Sequence, residues 1–238
     1  MKASQTPGAG GKPFMARNVS ATSATSELRT HYVQAQLAGN RREALRIVVA
    51  DGLLSGVAPE ELYLEIVGAA QRELGRLWEE NQITVADEHL ATAISQFILA
   101  QLYPHLGRAP RNGKSVAVAC VAGELHDMPG RIASDFLDAA GFDVRFIGAN
   151  TPTVGLIAEL TAHRPAVLAL SVTTIFHFAA LPHVITQLRQ AAADLPIVVG
   201  GFLVGAAPQL PPKLNARLSL GTTRDLVALV RELSGVRP

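Results

Sequence analysis

Two consecutive stretches decide the fold of the second half of the chain: Val116-Ala-Val-Ala-Cys-Val-Ala122 and Glu124-Leu-His126-Asp-Met-Pro-Gly130. The first is a continuous apolar run, which is typical of a strand buried on both faces of a parallel sheet. The residues after the second, 131–141, have helical spacing and end on a glycine. The polar stretch is therefore predicted to lie at the carboxyl end of a strand, where open α/β sheets bind ligands.

This loop carries an imidazole, His126, with a carboxylate two residues before it and Gly130 four residues after it. A lone histidine in such a loop is usually a surface or hydrogen-bonded residue. A neutral imidazole that binds a metal through one nitrogen needs an acceptor for its other N–H, and Glu124 is the candidate acceptor. Glu-x-His-x-x-Gly is a weak pattern by itself, and its interpretation depends on the other strand ends.

Strand-like and helix-like segments alternate along the rest of the chain, which predicts a parallel sheet with helices on both faces. Further strands are expected at 143–148, 167–171, 197–200 and near 216–220, with a last helix at 223–233. Distinctive segments follow three of these strands: Ala149-Asn-Thr-Pro152, Ser171-Val-Thr-Thr174 and Gly200-Gly201. One interpretation is that these segments only cap helices and form turns. The other is that their hydroxyls and glycines line a slot for a ligand.

The first half of the chain is predicted to be a helical bundle over residues 26–107. Helices are expected at 26–38, 41–54, 59–80 and from 84 or 87 to 102 or 103. The apolar stripe of the third helix contains Leu62, Ile66, Ala69, Ala70, Leu74 and Leu77, and that of the fourth contains Leu90, Ala93, Ile94, Phe97 and Ile98. Residues 1–25 are predicted to form a disordered tail, and a polar linker separates the bundle from a second domain at 113–238.

Composition limits the class of protein. The chain has 238 residues, 48% of them hydrophobic, and a net charge of +1, which gives no reason to expect a nucleic-acid surface. No apolar run is long enough for a membrane span, and the amino terminus lacks the apolar core of a secretory signal. The single cysteine, Cys120, excludes an intramolecular disulfide and fits the reducing cytoplasm. We therefore expect a cytoplasmic protein without direct nucleic-acid or membrane binding.

A second pattern lies on the predicted bundle. Trp78, the only tryptophan, is followed after nine residues by Glu88-His89. A tryptophan on a helix is more often a core residue than part of a cofactor site, and a glutamate in the first turn of a helix favours the helix dipole. Trp78 stands near a helix end, before Glu79, Glu80 and Asn81, so a position at a rim is expected.

The ordered set of strand-end motifs resembles the cobalamin-binding domain of methionine synthases, corrinoid carriers and mutases, over residues 113–236. In that family a histidine replaces the lower axial base of cobalt, and the displaced nucleotide tail enters a deep slot. The resemblance implies a Rossmann-like (flavodoxin-like) α/β fold with His126 as the cobalt ligand. It also implies these cofactor-binding residues: Glu124, Asp127, Gly130, Ser171, Thr173, Gly200 and Gly201.

The tryptophan pattern is similar to that of cobalamin-dependent light sensors of the CarH/LitR type, over residues 27–107. In those proteins a helical bundle caps the upper face of the cofactor. The resemblance implies that Trp78 and Glu88 enclose an adenosyl group and that His89 supports the pocket. One position departs from the pattern: Glu79 stands where the best-known sensors have a histidine that ligates cobalt after illumination. A bis-histidine state through that position is therefore not expected.

The leading hypothesis is a non-enzymatic photoreceptor that binds adenosylcobalamin and signals by a light-triggered conformational or oligomeric change. Residues 1–25 are too few and too polar for the DNA-binding helix-turn-helix of the CarH type, so the output is expected to pass through a homo-oligomer or a protein partner. The alternatives are a corrinoid methyl carrier of a methyltransferase system and a partner-binding antirepressor. Resemblance to cobalamin photoreceptors without a DNA-binding head implies a bilin, biliverdin, as a candidate second chromophore, and the apolar segments 175–181 and 202–204 either line its pocket or pack in the core. His177 is a candidate for the corrin edge or a structural residue.

Overall fold

The computed structural model describes residues 15–201, 215–219 and 221–237. The chain divides into two compact units, one ending at Leu102 and the other beginning at Tyr103. Each unit has its own set of elements and its own core. The segment 202–204, one of the two predicted to line a bilin pocket, lies outside the described residues.

The first unit contains four helical stretches among its described residues. Helix α1 is Met15–Leu37; α2 runs continuously through Arg41–Leu45, Arg46–Asp51 and Gly52–Leu54; α3 through Pro59–Glu61, Leu62–Gly68 and Ala69–Glu79; and α4 is Val85–Leu102. The middle segments of α2 and α3 have π-helical hydrogen bonding. Helix α1 begins at Met15, within the predicted tail, although most residues of 15–25 are Ser, Thr, Asn and Val, which favour helix only weakly.

The bundle core follows the predicted stripe of α3 but not that of α4. Leu62, Ile66, Ala70 and Leu74 are fully buried. On α4 the buried face consists of Ala91, Ile94, Ser95, Ile98, Leu99 and Leu102, while Leu90 is 47% exposed. The predicted stripe of α4 is therefore wrong in part. The reason is Ser95, whose hydroxyl lies 2.8 Å from the buried Tyr32 hydroxyl and turns a polar position toward the core.

The second unit is a five-stranded parallel sheet in the order β2-β1-β3-β4-β5. The strands are β1 Ser115–Cys120, β2 Asp143–Gly148, β3 Val167–Ser171, β4 Ile197–Gly200 and β5 Ala216–Leu218. The helices are α5 Met128–Ala139, α6 Thr153–His163, α7 Ile175–Ala191 and α8 Thr223–Ser234, and a 3-10 turn spans Tyr103–His105. The predicted fold is confirmed: a helical unit is followed by a Rossmann-like, flavodoxin-like sheet.

Each face of the sheet has its own core. Ala117 and Leu168 face α6 and α7, where Leu156, Leu160, Phe178, Leu181, Val184, Ile185 and Leu188 are buried. Val116 and Val167 face the other side, where Leu137 of α5 and Val230 of α8 pack. Covering on both faces explains why β1 and β3 are continuous apolar runs. It also holds the carboxyl ends of the two strands in fixed register.

Candidate functional site

The candidate site lies at the carboxyl edge of the sheet, where the strand order reverses between β1 and β3. Helix α5, which follows β1, packs on one face, and α7, which follows β3, packs on the other. This divergence leaves a crevice outside the strand ends, as in other doubly wound sheets. The loop after β1 carries Glu124 and His126, and the loop after β3 carries Thr173 and Thr174. Residues about 50 positions apart in sequence therefore meet at one edge.

Glu124 is the centre of the site. Its side chain is fully buried. Oε1 accepts hydrogen bonds from the His126 backbone N at 3.0 Å and from His126 Nδ1 at 2.6 Å. Oε2 accepts from the backbone N of Thr173 at 2.8 Å and of Thr174 at 3.1 Å. Burial raises the pKa of the Glu124 carboxyl, but the hydrogen bonds that His126 and Thr173 donate outweigh it and hold the pKa well below its usual range. The carboxylate is ionised and acts only as an acceptor.

The Glu124 contact fixes the tautomer of His126. Because the carboxylate only accepts, Nδ1 carries the proton, and the neutral ring presents Nε2 as its metal-binding atom. The imidazole side chain is half exposed, with 50% of its surface accessible. Throughout the described ranges, no three His, Cys, Asp or Glu side chains cluster so that they could hold a metal ion. A single imidazole of this kind fits a metal that carries its own equatorial ligands, as cobalt does in a corrin.

Glu124 should make the stability of the fold sensitive to acid. Its pKa is depressed in the folded state, so its stabilisation is present above the unfolded pKa of about 4.3 and is lost as the pH falls through the folded value. Glu124→Gln removes an anion that accepts from three backbone amides and should cost about 2 kcal/mol of unfolding free energy at pH 7. The difference from wild type should shrink as the pH is lowered below 4.

Urea unfolding followed by circular dichroism, at pH 7 and in steps down to pH 3, measures this difference. Glu232→Gln on α8 is the control with an exposed carboxylate, and it should change the unfolding free energy by less than about 0.5 kcal/mol. A Glu124→Gln deficit that is the same at all pH values would contradict the assignment of Glu124 as a strongly stabilised anion.

Two hydroxyls, on the last residue of β3 and in the loop that follows it, are buried without a hydrogen-bond partner. Within residues 15–201, 215–219 and 221–237, nothing hydrogen-bonds Ser171 Oγ or Thr173 Oγ1. An unsatisfied buried hydroxyl costs about 1–3 kcal/mol, so such groups are rare unless they serve a ligand. Both lie where a cobalamin nucleotide tail is expected from the sequence, so these residues fit that group.

Ser171→Ala should separate binding from stability. Removal of a hydroxyl that has no partner should raise the unfolding free energy of the ligand-free protein slightly, by less than about 1 kcal/mol. Cobalamin affinity should fall about 3- to 10-fold, because one hydrogen bond to the ligand is lost. Ser134→Ala is the matched control, since Ser134 Oγ donates to the Gly130 carbonyl at 2.8 Å and its loss should destabilise the protein.

Thermal unfolding without ligand and equilibrium titration with hydroxocobalamin provide the two measurements. A Ser171→Ala protein that is destabilised as much as Ser134→Ala, with unchanged affinity, would show that the Ser171 hydroxyl serves the fold alone.

Different local constraints explain why glycine stands at positions 130 and 201 of the site. A Cβ on Gly130, in the first turn of α5, would lie 3.2 Å from the Phe146 ring and 3.4 Å from Ser171 Cβ, so α5 starts close against the sheet. Gly201 has a φ of +123°, and a Cβ there would lie 2.0 Å from the Val172 carbonyl oxygen. A Cβ on Gly200 would meet only Ser219 Cβ, at 3.8 Å. Backbone geometry therefore explains the glycine at 201 but not the one at 200.

The remaining predicted residues of this unit have modest roles in the fold. Asp127 precedes α5 and lies 3.5 Å from Arg131 Nη2. Cys120 is buried at the end of β1, and burial raises the pKa of its thiol to about 12. A protonated, buried thiol behaves as a small apolar side chain.

Trp78, Glu88 and His89 belong to the helical unit. Trp78 lies in the last turn of α3 and is 45% exposed, at the end of the bundle where α4 begins. Glu88 Oε2 lies 2.7 Å from His89 Nδ1, and Glu88 Oε1 accepts from the Thr92 hydroxyl at 2.8 Å. Thr92 in turn accepts from Gln71 Nε2 at 2.7 Å. The Glu88 carboxylate is thus held by α4 directly and by α3 through Thr92.

The sequence singled out the segment 149–152, but Asn150 was not predicted as a site residue. Its backbone is left-handed, with a φ of +48°. Asn150 Oδ1 accepts from the Gly123 backbone N at 2.8 Å, and the Asn150 backbone N donates to the Glu124 carbonyl at 2.8 Å. These bonds tie the loop after β2 to the loop after β1. The sequence did contain an indication, an asparagine two residues after the end of β2, because Asn is enriched in left-handed turns.

An apolar rim surrounds the site. Four large apolar side chains on the loops and helix starts after β1, β2 and β3 are exposed: Leu125 by 70%, Val154 by 77%, Ile175 by 52% and Phe176 by 83%. Exposed apolar side chains that gather at one edge are typical of ligand or partner surfaces. In segment 175–181, by contrast, Phe178 and Leu181 are buried in the sheet core.

The comparisons with known proteins agree with this geometry. Residues 114–216 match the family model for the B12 binding domain, and residues 28–103 match a second model of the same description. The HTH-type transcriptional repressors CarA and CarH of Myxococcus xanthus are 33% and 32% identical to this chain over 153 and 158 residues. Those matches cover 62% and 64% of this chain and 51% of each repressor, so the chain spans about half the length of these curated relatives.

The chain is also similar to corrinoid proteins. Trimethylamine corrinoid protein 1 of Methanosarcina mazei is 22% identical over 189 residues, which cover 77% of this chain and 87% of that protein. The structure of the monomethylamine corrinoid protein of Methanosarcina barkeri aligns with a TM-score of 0.71 and 16% identity, covering 88% of this chain and 99% of that one. The structural match shows the fold, and the two B12 binding domain matches support a cobalamin or corrinoid cofactor. Among the described helices, none has the length and apolar character needed to cross a membrane.

Proposed function

We propose that the chain is a cobalamin-dependent photoreceptor that binds adenosylcobalamin and signals by a light-triggered change of conformation or assembly. The observation that carries this proposal is the joint presence of the Glu124–His126 pair at the sheet edge and, on the bundle, of the exposed Trp78 and the hydrogen-bonded Glu88. The similarity to the repressors CarA and CarH supports it. Bound adenosylcobalamin would supply a cobalt–carbon bond that visible light cleaves.

The residues of the second unit would hold the lower face of the cofactor. His126 Nε2 would bind cobalt, with Glu124 holding Nδ1–H so that the ring keeps its orientation. The unpartnered hydroxyls of Ser171 and Thr173 would hydrogen-bond the buried nucleotide tail. Gly200 would allow the tail to approach the backbone closely.

The residues of the first unit would enclose the upper ligand. Trp78 offers an exposed aromatic face for adenine, and the Glu88 carboxylate would accept hydrogen bonds from ribose hydroxyls. His89 would support Glu88 through the 2.7 Å contact. Glu79 offers no imidazole for cobalt after photolysis, so we propose that another side chain or water takes that position.

The runner-up function is a corrinoid methyl carrier. The similarity to trimethylamine corrinoid protein 1 over 77% of the chain favours it. In that role the protein would present a methyl group to partner enzymes and would need no residues around an adenosyl group. The sequence pattern of Trp78 followed after nine residues by Glu88-His89 supports the photoreceptor over this alternative.

Absorption spectra of the purified protein with adenosylcobalamin, taken before and after green light, test the proposal. A spectral change, accompanied by a change in elution on size-exclusion chromatography, is expected. An unchanged spectrum with cobalamin bound would reject the photoreceptor. Tighter binding of methylcobalamin than of adenosylcobalamin would support the methyl carrier.

Mass spectrometry of ligands that co-purify in the dark tests the prediction of biliverdin, and a light-dependent pull-down tests a protein partner or antirepressor role.

Trp78→Ala should impair adenosylcobalamin binding selectively. An aromatic face packs on adenosine, and hydroxocobalamin has no adenosine, so affinity for the first ligand should fall roughly 10- to 100-fold and affinity for the second should change little. Leu54→Ala, which removes another exposed apolar side chain of the bundle, is the matched control. Titrations with both cobalamins, together with helical circular dichroism, measure the effect. An equal loss of affinity for the two cobalamins in a folded variant would show that Trp78 has only a structural role.

A further inference from the structure

A line of polar side chains crosses the helical unit from its surface to its core. Glu88, Thr92 and Ser95 are four and three residues apart, so they lie on one face of α4. Tyr32 and Gln36 lie one turn apart on α1, and both are fully buried. The exposed fraction falls from 20% of the side chain at Glu88 to 0% at Ser95. The line therefore begins at a proposed ligand-binding carboxylate and ends in the core of the bundle.

Gln71 of α3 joins the two ends of this line. Its Nε2 lies 2.7 Å from Thr92 Oγ1, and Thr92 Oγ1 lies 2.8 Å from Glu88 Oε1. The Oε1 atom of Gln71 lies 3.1 Å from Ser95 Oγ. Ser95 Oγ in turn lies 2.8 Å from the hydroxyl of the buried Tyr32. Hydrogen-bond contacts thus continue without a gap from the core of the bundle to Glu88.

Stability alone does not explain this network. Gln36 Nε2 lies 3.0 Å from the Ala91 carbonyl oxygen and 2.9 Å from Ser95 Oγ. Among the residues that the structure describes, however, nothing hydrogen-bonds the buried Gln36 Oε1. A partly satisfied buried network is less stable than a well-packed apolar core, so apolar residues at these positions would favour the fold. The polar residues therefore indicate a role that apolar residues cannot fill, and the side chain at the exposed end of the network is Glu88.

We propose that Thr92 and Gln71 are positioning residues for Glu88 and that they set the preference of the protein for an adenosyl ligand. Thr92 holds Glu88 Oε1, which fixes the carboxylate in one rotamer. Gln71 fixes the Thr92 hydroxyl by connecting it to the buried Ser95. A carboxylate that is held before binding loses less conformational freedom when ribose hydroxyls donate to it. This inference rests on the proposed contact between Glu88 and an adenosyl group.

The test measures the dissociation constants of adenosylcobalamin and hydroxocobalamin for variants of the full chain. Thr92→Val removes the hydroxyl and keeps the shape of the side chain, whereas Thr92→Ser keeps the hydroxyl. Gln71→Met removes the amide and keeps the length of the side chain. Tyr63→Phe is the matched control, because it removes a buried hydrogen bond between the same two helices, from the Tyr63 hydroxyl to the Leu99 carbonyl oxygen at 2.9 Å. That bond lies about three turns along α4 from Glu88.

The ratio of the two dissociation constants separates positioning from general stability. Thr92→Val should lower the preference for adenosylcobalamin about 3- to 10-fold, because a hydrogen bond that prepares the carboxylate is lost. Gln71→Met acts through Thr92 and should lower the preference about 2- to 5-fold. Thr92→Ser and Tyr63→Phe should keep the wild-type preference. An unchanged preference in Thr92→Val, or a loss of the same size in Tyr63→Phe, would overturn the proposal.

Glu88→Ala distinguishes failure of this inference from failure of the proposed function. If this variant keeps the wild-type preference, Glu88 does not contact an adenosyl group, and the proposed upper site on which the inference rests is wrong. If Glu88→Ala lowers the preference and Thr92→Val does not, only the positioning role is wrong.

A measurement without cobalamin tests the positioning directly. In the ligand-free protein, the three-bond NMR couplings of the Glu88 side chain should report a single rotamer in wild type and in Thr92→Ser. They should report averaging over several rotamers in Thr92→Val, because the hydroxyl that holds Glu88 Oε1 is absent. The same couplings in Thr92→Val and in wild type would overturn the positioning role.

Discussion

Replacement of His126 by alanine is expected to abolish the histidine-bound form of cobalamin and to weaken its binding more than about 100-fold. Loss of a group that merely orients a metal ligand costs roughly 10- to 100-fold, and here the ligand itself is removed. The variant also leaves the buried Glu124 carboxylate without its shortest hydrogen bond, the 2.6 Å contact to Nδ1. The absorption spectrum of any cobalamin that still binds should be that of a base-on or base-off form.

Equilibrium dialysis with hydroxocobalamin and the visible spectrum of the bound fraction measure both effects. His183→Ala removes an exposed imidazole from the same unit and should match wild type in both. A His126→Ala protein with wild-type spectrum and affinity would refute the assignment of the lower ligand, and with it the basis of the proposed function.

The second large effect is expected at Gly201, where alanine should destabilise the protein by about 3 kcal/mol or more. The residue has a φ of +123°, which side chains other than glycine rarely adopt, and the new Cβ would lie 2.0 Å from the Val172 carbonyl oxygen. Neither element can retreat cheaply, because Val172 is buried directly after β3 and its backbone N donates to the Gly200 carbonyl. Strain and overlap therefore add.

The neighbouring glycine provides the matched comparison. Gly200→Ala introduces a Cβ whose nearest neighbour is 3.8 Å away, so its unfolding free energy should stay within about 1 kcal/mol of wild type. If the slot beside Gly200 receives the nucleotide tail, this stable variant should still lose cobalamin affinity. Urea unfolding and cobalamin titration of both variants measure this. A stable Gly201→Ala protein would contradict the described backbone at this turn.

The architecture could be predicted because each central strand is an uninterrupted apolar run and each is followed by a helical period. Buried parallel strands need apolar residues on both faces, so β1 and β3 are visible in the sequence alone. The buried face of α4 could not be predicted from its apolar residues. Ser95 lies on that face because Tyr32 and Gln36 hydrogen-bond its hydroxyl, and these partners come from a different helix.

The site could be predicted only where its residues are close together in the sequence. Glu124 and His126 are two residues apart, so their pairing is a local property that a short pattern reveals. His177 and Asn150 reach the same carboxylate loop from the ends of other strands, and only the strand order brings them there. Contacts between residues that are far apart in the sequence follow no fixed sequence spacing, so a short pattern cannot reveal them.

The strand order of the sheet also has a thermodynamic consequence. The loops of the site follow three different strands, β1, β2 and β3, and the hydrogen bonds among them exist only when the whole sheet is assembled. A ligand that requires all three loops binds the folded chain and has no counterpart in the unfolded one. Each tenfold rise in its concentration above the dissociation constant then adds about 1.4 kcal/mol to the unfolding free energy. The supply of the ligand thereby governs the fraction of the chain that is folded at equilibrium.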